Sequence, residues 1–270
     1  MELYNITMAA LIGIVEGVTE FLPISSTGHL ILLVNILGFK GPPGRVFEVV
    51  IQFGAILGVC WVYRDRLLNV ISRPTSPSSL HMAVVLLLGF LPAAIIGFLA
   101  HDIIKAVLFN SVVVSIALIV GGVAIIAIER SSRKNDIRTF DGIPPLKAVQ
   151  VGLFQALAMI PGTSRSGATI MGGRLLGLSR GVAAEFSFLL AIPTMLAASG
   201  YDLYKSAGEI NAAGLILLAI GFLSAFMTAV VTVRWLVGFV SSHSFEGFGW
   251  YRIAFGTLML FSIYYFQLAS

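Results

Sequence analysis

Charge is scarce in this chain. Asp, Glu, Lys and Arg together make up 11% of its 270 residues, against roughly 25% in an ordinary soluble domain. So few charges cannot cover the surface of a soluble fold of this size, and a disordered chain needs more of them still. Cysteine is almost absent. Cys60 stands alone inside an apolar run, which excludes an internal disulfide framework and a cysteine-based metal site. Met1 to Thr7 has no basic region, so it does not read as a cleavable signal peptide. The net charge of +4 is spread between hydrophobic runs and points to no nucleic-acid partner. What remains is apolar: 57% of the residues are hydrophobic and the mean hydropathy is +0.96. A crossing takes about 20 apolar residues and the length has room for about six to eight. The expectation is an all-α polytopic membrane protein.

Two kinds of apolar segment alternate. Phe47–Tyr63, Leu80–Ala100, Val107–Ile128, Val182–Tyr201, Ala212–Val233 and Trp250–Leu268 have the length of spans, with Pro92 inside the second as an expected kink. Tyr4–Leu22, His29–Leu37, Leu146–Ile160 and Ala168–Leu178 are short or interrupted by polar residues. A charged stretch, Glu129–Asp141, followed by Pro144-Pro145, marks the best internal boundary.

The halves on either side of it echo each other. Gly13-x2-Glu16, then Pro23 and Ser25-Ser26-Thr27-Gly28, resembles Gly152-x2-Gln155, then Pro161 and Ser164-Arg165-Ser166-Gly167. Gly89-Phe90-Leu91 is echoed by Gly221-Phe222-Leu223. Residues 1–140 and 141–270 each read as a re-entrant helical hairpin followed by three spans. Three is odd, so the second half is expected to be inverted relative to the first. Six transmembrane helices plus two re-entrant hairpins result. On that topology twelve cations share one side: Arg64, Arg66, Arg73, Arg130, Arg133, Lys134, Arg138, Lys147, Arg174, Arg180, Arg234 and Arg252. Lys40, Arg45, Lys105 and Lys205 fall on the other, which makes the first side cytoplasmic. The two hairpin tips then dip from opposite faces and can meet near the midplane.

The tips carry the chemistry. Glu16 and Glu20 are spaced i, i+4 and share a helical face. A carboxylate deep in lipid must face protein, water or a cation. Ser25, Ser26, Thr27 and His29 follow within nine residues. The second tip offers Gly162 and Gly167 for a tight turn, hydroxyls from Thr163, Ser164, Ser166 and Thr169, the fork of Arg165, and a helix N-terminus. That is a cradle suited to phosphate. Its spacing is not that of a nucleotide P-loop. Glu48 and Gln52 either reach this cluster or cap a span at the interface. His81, His101 and His243 read as solvated, Phe186, Phe188 and the Tyr251–Phe266 aromatics as lipid-facing or belt residues, and Gly121-Gly122 as a close helix contact.

Together, Glu16-x3-Glu20-Phe-Leu-Pro-x-Ser-Ser-Thr-Gly-His29 and Pro161-Gly-x-Ser-Arg-Ser-Gly-Ala-Thr169 resemble the bacterial undecaprenyl-diphosphate phosphatases of the bacitracin-resistance type, over essentially the whole chain. The resemblance implies a multi-pass enzyme of the bacterial inner membrane that removes the terminal phosphate of a polyprenyl diphosphate lipid. It also implies a divalent cation, Mg²⁺ or Ca²⁺. On this reading Glu20, Ser26, His29 and Arg165 are catalytic. Ser25, Thr27, Gly162, Ser164, Ser166 and Thr169 bind substrate, and Glu16 and Glu20 hold the cation. Ser26, His29 and a water remain alternative nucleophiles, and a homodimer is an open expectation. The competing reading is a polyprenyl-phosphate transporter or flippase, since inverted repeats with broken helices are also a transporter architecture. Gly28-His29 resembles part of the type-2 phosphatidic acid phosphatase signature. The later half of that signature is missing here, because no histidine follows Arg165 at the required spacing.

Overall fold

The computed structural model describes residues 3–37, 39, 46–108, 110–131, 137–206 and 212–269. Lys40, Arg45, Arg133 and Lys134, all part of the charge asymmetry, lie outside the described residues. Within them the chain is helical, with eleven α-helices. The first half holds α1 (Leu3–Thr19), α2 (Ser26–Leu37), α3 (Val46–Val62), α4 (Arg64–Ser72), α5 (Pro77–Leu108) and α6 (Ser111–Arg130). The second holds α7 (Pro145–Ala156), α8 (Arg165–Leu175), α9 (Arg180–Ser206), α10 (Ala212–Ser242) and α11 (Glu246–Ala269).

Four helices have stretches long and apolar enough to cross a membrane: Pro77–Leu99 of α5, Ser111–Arg130, Arg180–Gly200 of α9 and Gly214–Ser242 of α10. A fifth is possible through α3 and α4, which are bent by 74° at their junction. Their outer faces are apolar, with Leu87, Val120 and Val231 exposed, as a lipid surface requires. The protein is therefore a multi-pass membrane protein. The segment expected to cross last, in α11, is a 24-residue helix that carries Glu246 and Arg252 and is not among these five. The span expected from Val107 instead begins at Ser111. Asn110 caps that helix, its side chain accepting from the Val113 N–H at 2.9 Å.

Small residues decide which helices touch. α1 packs on α10 and α7 packs on α5; α3 and α9 contact each other, as do α6 and α11. A Cβ on Gly13 would fall 2.3 Å from the Gly221 carbonyl oxygen, and a Cβ on Gly152 would fall 2.3 Å from that of Gly89. Gly122 and Gly249 make a similar reciprocal approach between α6 and α11. In lipid such close backbone contact supplies the packing energy that apolar burial supplies in water. Phe186 and Phe188, expected at the lipid, are instead buried. Phe188 stands edge-on to Phe21 with ring centroids 5.8 Å apart.

Charged residues gather one end of the bundle. Glu129 accepts from Arg174 at 3.1 Å and from Arg180 at 2.7 Å. Arg66 pairs with Glu185, and Arg130 with Glu246. These contacts bring the ends of α6 and α8 and the starts of α4, α9 and α11 together.

Candidate active site

Each short helix pair meets at a tip that proline breaks. α1 makes a last helical bond from the Glu20 N–H to the Glu16 carbonyl at 2.9 Å. Pro23 has no N–H to continue it, and Ser25 turns the chain at a φ of 71°. The second tip passes through Gly162 at a φ of 92° and Ser164 at 70°. Glycine is needed at 162 for space as well, since a Cβ there would sit 2.4 Å from the Val114 carbonyl. The Ser164 hydroxyl caps α8, accepting from the Gly167 N–H at 3.1 Å.

The tips touch. The Ser166 hydroxyl donates to the Leu22 carbonyl at 2.8 Å. Glu20 lies between the two loops: one carboxylate oxygen accepts from the Ser26 hydroxyl at 2.6 Å, and the other faces the Arg165 Nε at 3.5 Å. Arg165 also donates from Nη1 to the Ser187 carbonyl at 3.0 Å. A cavity of about 800 Å³ opens over this contact. Glu20, Ser25, Ser26, Thr27, Gly162, Ser164 and Arg165 line its polar end. Phe90, Ala93, Gly97, Phe98 and Met195 make an apolar flank. Gln52 and Gln155 add amides to the wall, so Gln52 reaches the cluster and is not an interfacial cap.

Other expected residues stand elsewhere. Ser166 and Thr169 do not line the cavity. Thr169 bonds the Arg165 carbonyl at 2.9 Å and the Ser187 hydroxyl at 2.6 Å, which locks α8 to α9. His29 lines a separate apolar cavity of about 490 Å³, with Trp235, Phe239 and Tyr251. Its Nδ1 lies 2.8 Å from the Ser25 carbonyl, which can only accept, so Nδ1 carries the proton. In the neutral ring Nε2 then accepts from the Tyr251 hydroxyl at 2.6 Å. Both nitrogens are committed to holding the tip, and the Ser26 hydroxyl bonds Glu20 instead.

Several buried polar atoms around this contact have no hydrogen-bond partner: Glu16 Oε2, Gln155 Nε2 and Arg165 Nη2. Thr194 cannot satisfy Gln155, whichever way the amide is turned. The amide has two N–H groups, and Thr194 contributes one oxygen, 3.4 Å away. Away from water each such group costs roughly 1–3 kcal/mol. An anion on the donors and a cation on Glu16 would remove that cost. Among the described residues no three of His, Cys, Asp and Glu gather as a ready-made metal site. The carboxylate oxygens of Glu16 and Glu20 nevertheless suit a hard cation that takes its remaining ligands from phosphate and water.

The largest correction concerns Arg252. By sequence position it falls among the cytoplasmic cations, but it is 1% exposed and reaches both tips. An isolated arginine within an apolar aromatic run is the signal that the sequence offers for it. Ser187, by contrast, leaves no signal: a serine inside an apolar helix does not reveal which neighbour it meets.

Comparison with known proteins agrees with this geometry. Residues 9–258 match the family described as bacitracin resistance protein BacA. A protein of Paramagnetospirillum magneticum named undecaprenyl-diphosphatase 2 is 53% identical, over 93% of this chain and 96% of its own length. An undecaprenyl-diphosphatase of Methylococcus capsulatus is 51% identical over 95% and 94%, and one of Acinetobacter baumannii is 49% identical over the whole of both chains. With the match covering both tips and every helix that builds the cavity, the chain belongs to the BacA bacitracin resistance family.

Proposed function

We propose that this membrane protein hydrolyses undecaprenyl diphosphate to undecaprenyl phosphate and inorganic phosphate, which recycles the lipid carrier for cell-wall synthesis. One observation carries the reading at the level of the site. Unpartnered buried donors on Gln155 and Arg165 line the cavity over the tip contact, and Glu16, one helical turn before Glu20, carries an unpartnered carboxylate oxygen; a diphosphate with a divalent cation would satisfy both signs of charge. The apolar flank of the same cavity suits an isoprenoid tail.

In this mechanism Ser26 Oγ attacks the terminal phosphorus and its proton passes to Glu20 along the 2.6 Å hydrogen bond. The bond from phosphorus to the bridging oxygen breaks, that oxygen takes the proton from Glu20, and polyprenyl phosphate leaves with Glu20 again a carboxylate. Arg165 holds the non-bridging oxygens as charge spreads onto them. Water then attacks the phosphoserine, Glu20 takes a proton from it and passes it to Ser26 Oγ as the P–Oγ bond breaks, and inorganic phosphate departs. Glu16, with Glu20, would hold Mg²⁺ or Ca²⁺, which when bound neutralises the charge of the diphosphate. Ser25, Thr27, Gly162 and Ser164 shape the phosphate end. Ser166, Thr169 and His29 keep the tips in place from behind.

The architecture is read as two inverted halves, 1–140 and 141–270, with six crossings and two re-entrant hairpins in the bacterial inner membrane. The matched contacts Gly13–Gly221 and Gly152–Gly89 support it, because they pair equivalent positions in reciprocal order. The ion pairs that collect Arg66, Arg130, Arg174 and Arg180 at one end support a cytoplasmic face there.

The test is phosphate release by purified protein from undecaprenyl diphosphate. Steady turnover that Ser26→Ala abolishes supports the reading. Movement of labelled polyprenyl phosphate across vesicles without phosphate release would instead favour the transporter.

A further inference from the structure

Arg252 of α11 places its guanidinium between the two tips. All five of its N–H groups are used. Nη1 donates to the Pro23 carbonyl at 3.1 Å and the Thr163 carbonyl at 2.8 Å. Nη2 donates to the Gly162 carbonyl at 2.9 Å and the Ala117 carbonyl at 3.0 Å. Nε donates to the Leu118 carbonyl at 3.2 Å. Among the described residues no carboxylate pairs with it. Burying an arginine on backbone carbonyls alone is expensive inside a membrane, yet the fold makes specific room for it. A Cβ on Gly121 would lie 2.2 Å from Nη2, and one on Gly167 would lie 3.0 Å from Nη1.

The carbonyls it holds are informative. Pro23 comes two residues before Ser25, and Gly162 and Thr163 come directly before Ser164. Among the described residues, Ser25 and Ser164 are the non-glycine residues with positive φ, a conformation that persists only where the surroundings impose it. The adjacent residue, Tyr251, reaches the same tip through His29, whose Nδ1 holds the Ser25 carbonyl. α11 therefore braces the first tip through two consecutive side chains, and through Arg252 it ties that tip to the second.

We propose that Arg252 is a positioning residue for the hydrolysis. Its guanidinium fixes the two tips against each other, so that Ser26 and Glu20 on one face Arg165 on the other. This rests on the site reading given above. Five directional bonds from one planar group define a mutual orientation that apolar packing between loops cannot. Misplacing reacting groups by about 1 Å can cost about 100-fold in rate.

The test uses full-length protein purified in lipid-detergent micelles, with farnesyl diphosphate as probe and phosphate release as readout. Arg252→Met should lower kcat at least about 100-fold while KM changes less than about threefold, because the groups that touch substrate are all still present. Arg252→Lys, with three donors, should recover about tenfold of that loss. Gly121→Ala keeps the charge but displaces the guanidinium, from a position outside the cavity. It should lower kcat at least about tenfold, and adding it to Arg252→Met should cost nothing further, the non-additivity expected of one shared interaction. If Arg252→Met does not fold, Gly121→Ala and Arg252→Lys decide the question in its place. Unchanged kcat in these variants, or a loss confined to KM, overturns the proposal. Ser26→Ala is measured alongside. If Ser26→Ala is inactive while the Arg252 and Gly121 variants turn over normally, the positioning role alone falls. If Ser26→Ala itself turns over normally, the reading of the site falls.

Discussion

Ser25 and Ser164 share a positive φ at matching places in the two tips, 71° and 70°. Neither is glycine, so each stores strain of roughly 1–3 kcal/mol. Ser164 also caps α8. Ser164→Ala removes the cap and keeps the strain, whereas Ser164→Gly removes the cap and releases the strain. The glycine variant should therefore be more stable than the alanine variant by about 1 kcal/mol or more. Unfolding in mixed micelles checks the order, and an alanine variant that equals or exceeds the glycine variant contradicts it.

Gly13 and Gly152 each press against a carbonyl of a distant helix, at Gly221 and Gly89. Gly13→Ala and Gly152→Ala should each destabilise by about 1–3 kcal/mol, because backbone must move to admit the methyl group. Comparable losses are expected if the halves are equivalent. A large loss from one and none from the other would count against that equivalence.

The proposed chemistry separates Ser26 from His29. Ser26→Ala should abolish phosphate release. His29→Phe keeps a ring stacked on Phe255, whose centroid lies 4.3 Å from that of His29, and loses only the bonds to Ser25 and Tyr251. It should slow turnover about tenfold, the equivalent of about 1.4 kcal/mol. Any trapped phosphoenzyme should survive acid, as a phosphoserine does. An acid-labile adduct lost in His29→Phe would move the nucleophile to His29.

Arg165 donates to the Ser187 carbonyl through Nη1, faces Glu20 through Nε and leaves Nη2 for phosphate. A lysine keeps the charge but not this three-way fork. Arg165→Lys should lose at least about tenfold in kcat/KM, or roughly 1.4 kcal/mol of transition-state stabilisation. Near-normal activity would show that charge alone suffices.

Chelation tests the proposed role of Glu16. Activity should fall to background with an exhaustive chelator and return with Mg²⁺ or Ca²⁺. Glu16→Gln should need at least about tenfold more cation for half-maximal activity, since one anionic oxygen ligand is lost. Undiminished turnover after chelation would leave the buried acid to some other task, such as moving a proton.

Much of this is legible along the chain, for a local reason. Apolar runs, proline breaks and the i, i+4 spacing of Glu16 and Glu20 depend on neighbours in sequence. They correctly announce a helical membrane protein with two short polar-bearing segments, and Gln155 is visible as the partner of Glu16 in the repeat. The contact between Gly122 and Gly249 is foreshadowed by the Gly121-Gly122 pair. Orientation is not legible. In a membrane protein both the lipid face and the core are apolar, so periodicity does not tell them apart. Phe186 and Phe188 can be placed at the lipid on pattern alone, although the fold buries them. Arg252 shows the same limit for charge. By sequence position it is one more interfacial cation, and only folding, which brings Pro23, Ala117 and Gly162 around it from more than 80 residues away, makes it a brace between the tips. His29 belongs to the polar cluster by spacing, but in the fold its ring bonds the Ser25 carbonyl and the Tyr251 hydroxyl and lines the other cavity. Residue types and local breaks are set by the chain. Which side chains face the cavity is set by contacts between helices far apart in sequence, because direction in space is a property of the packed bundle.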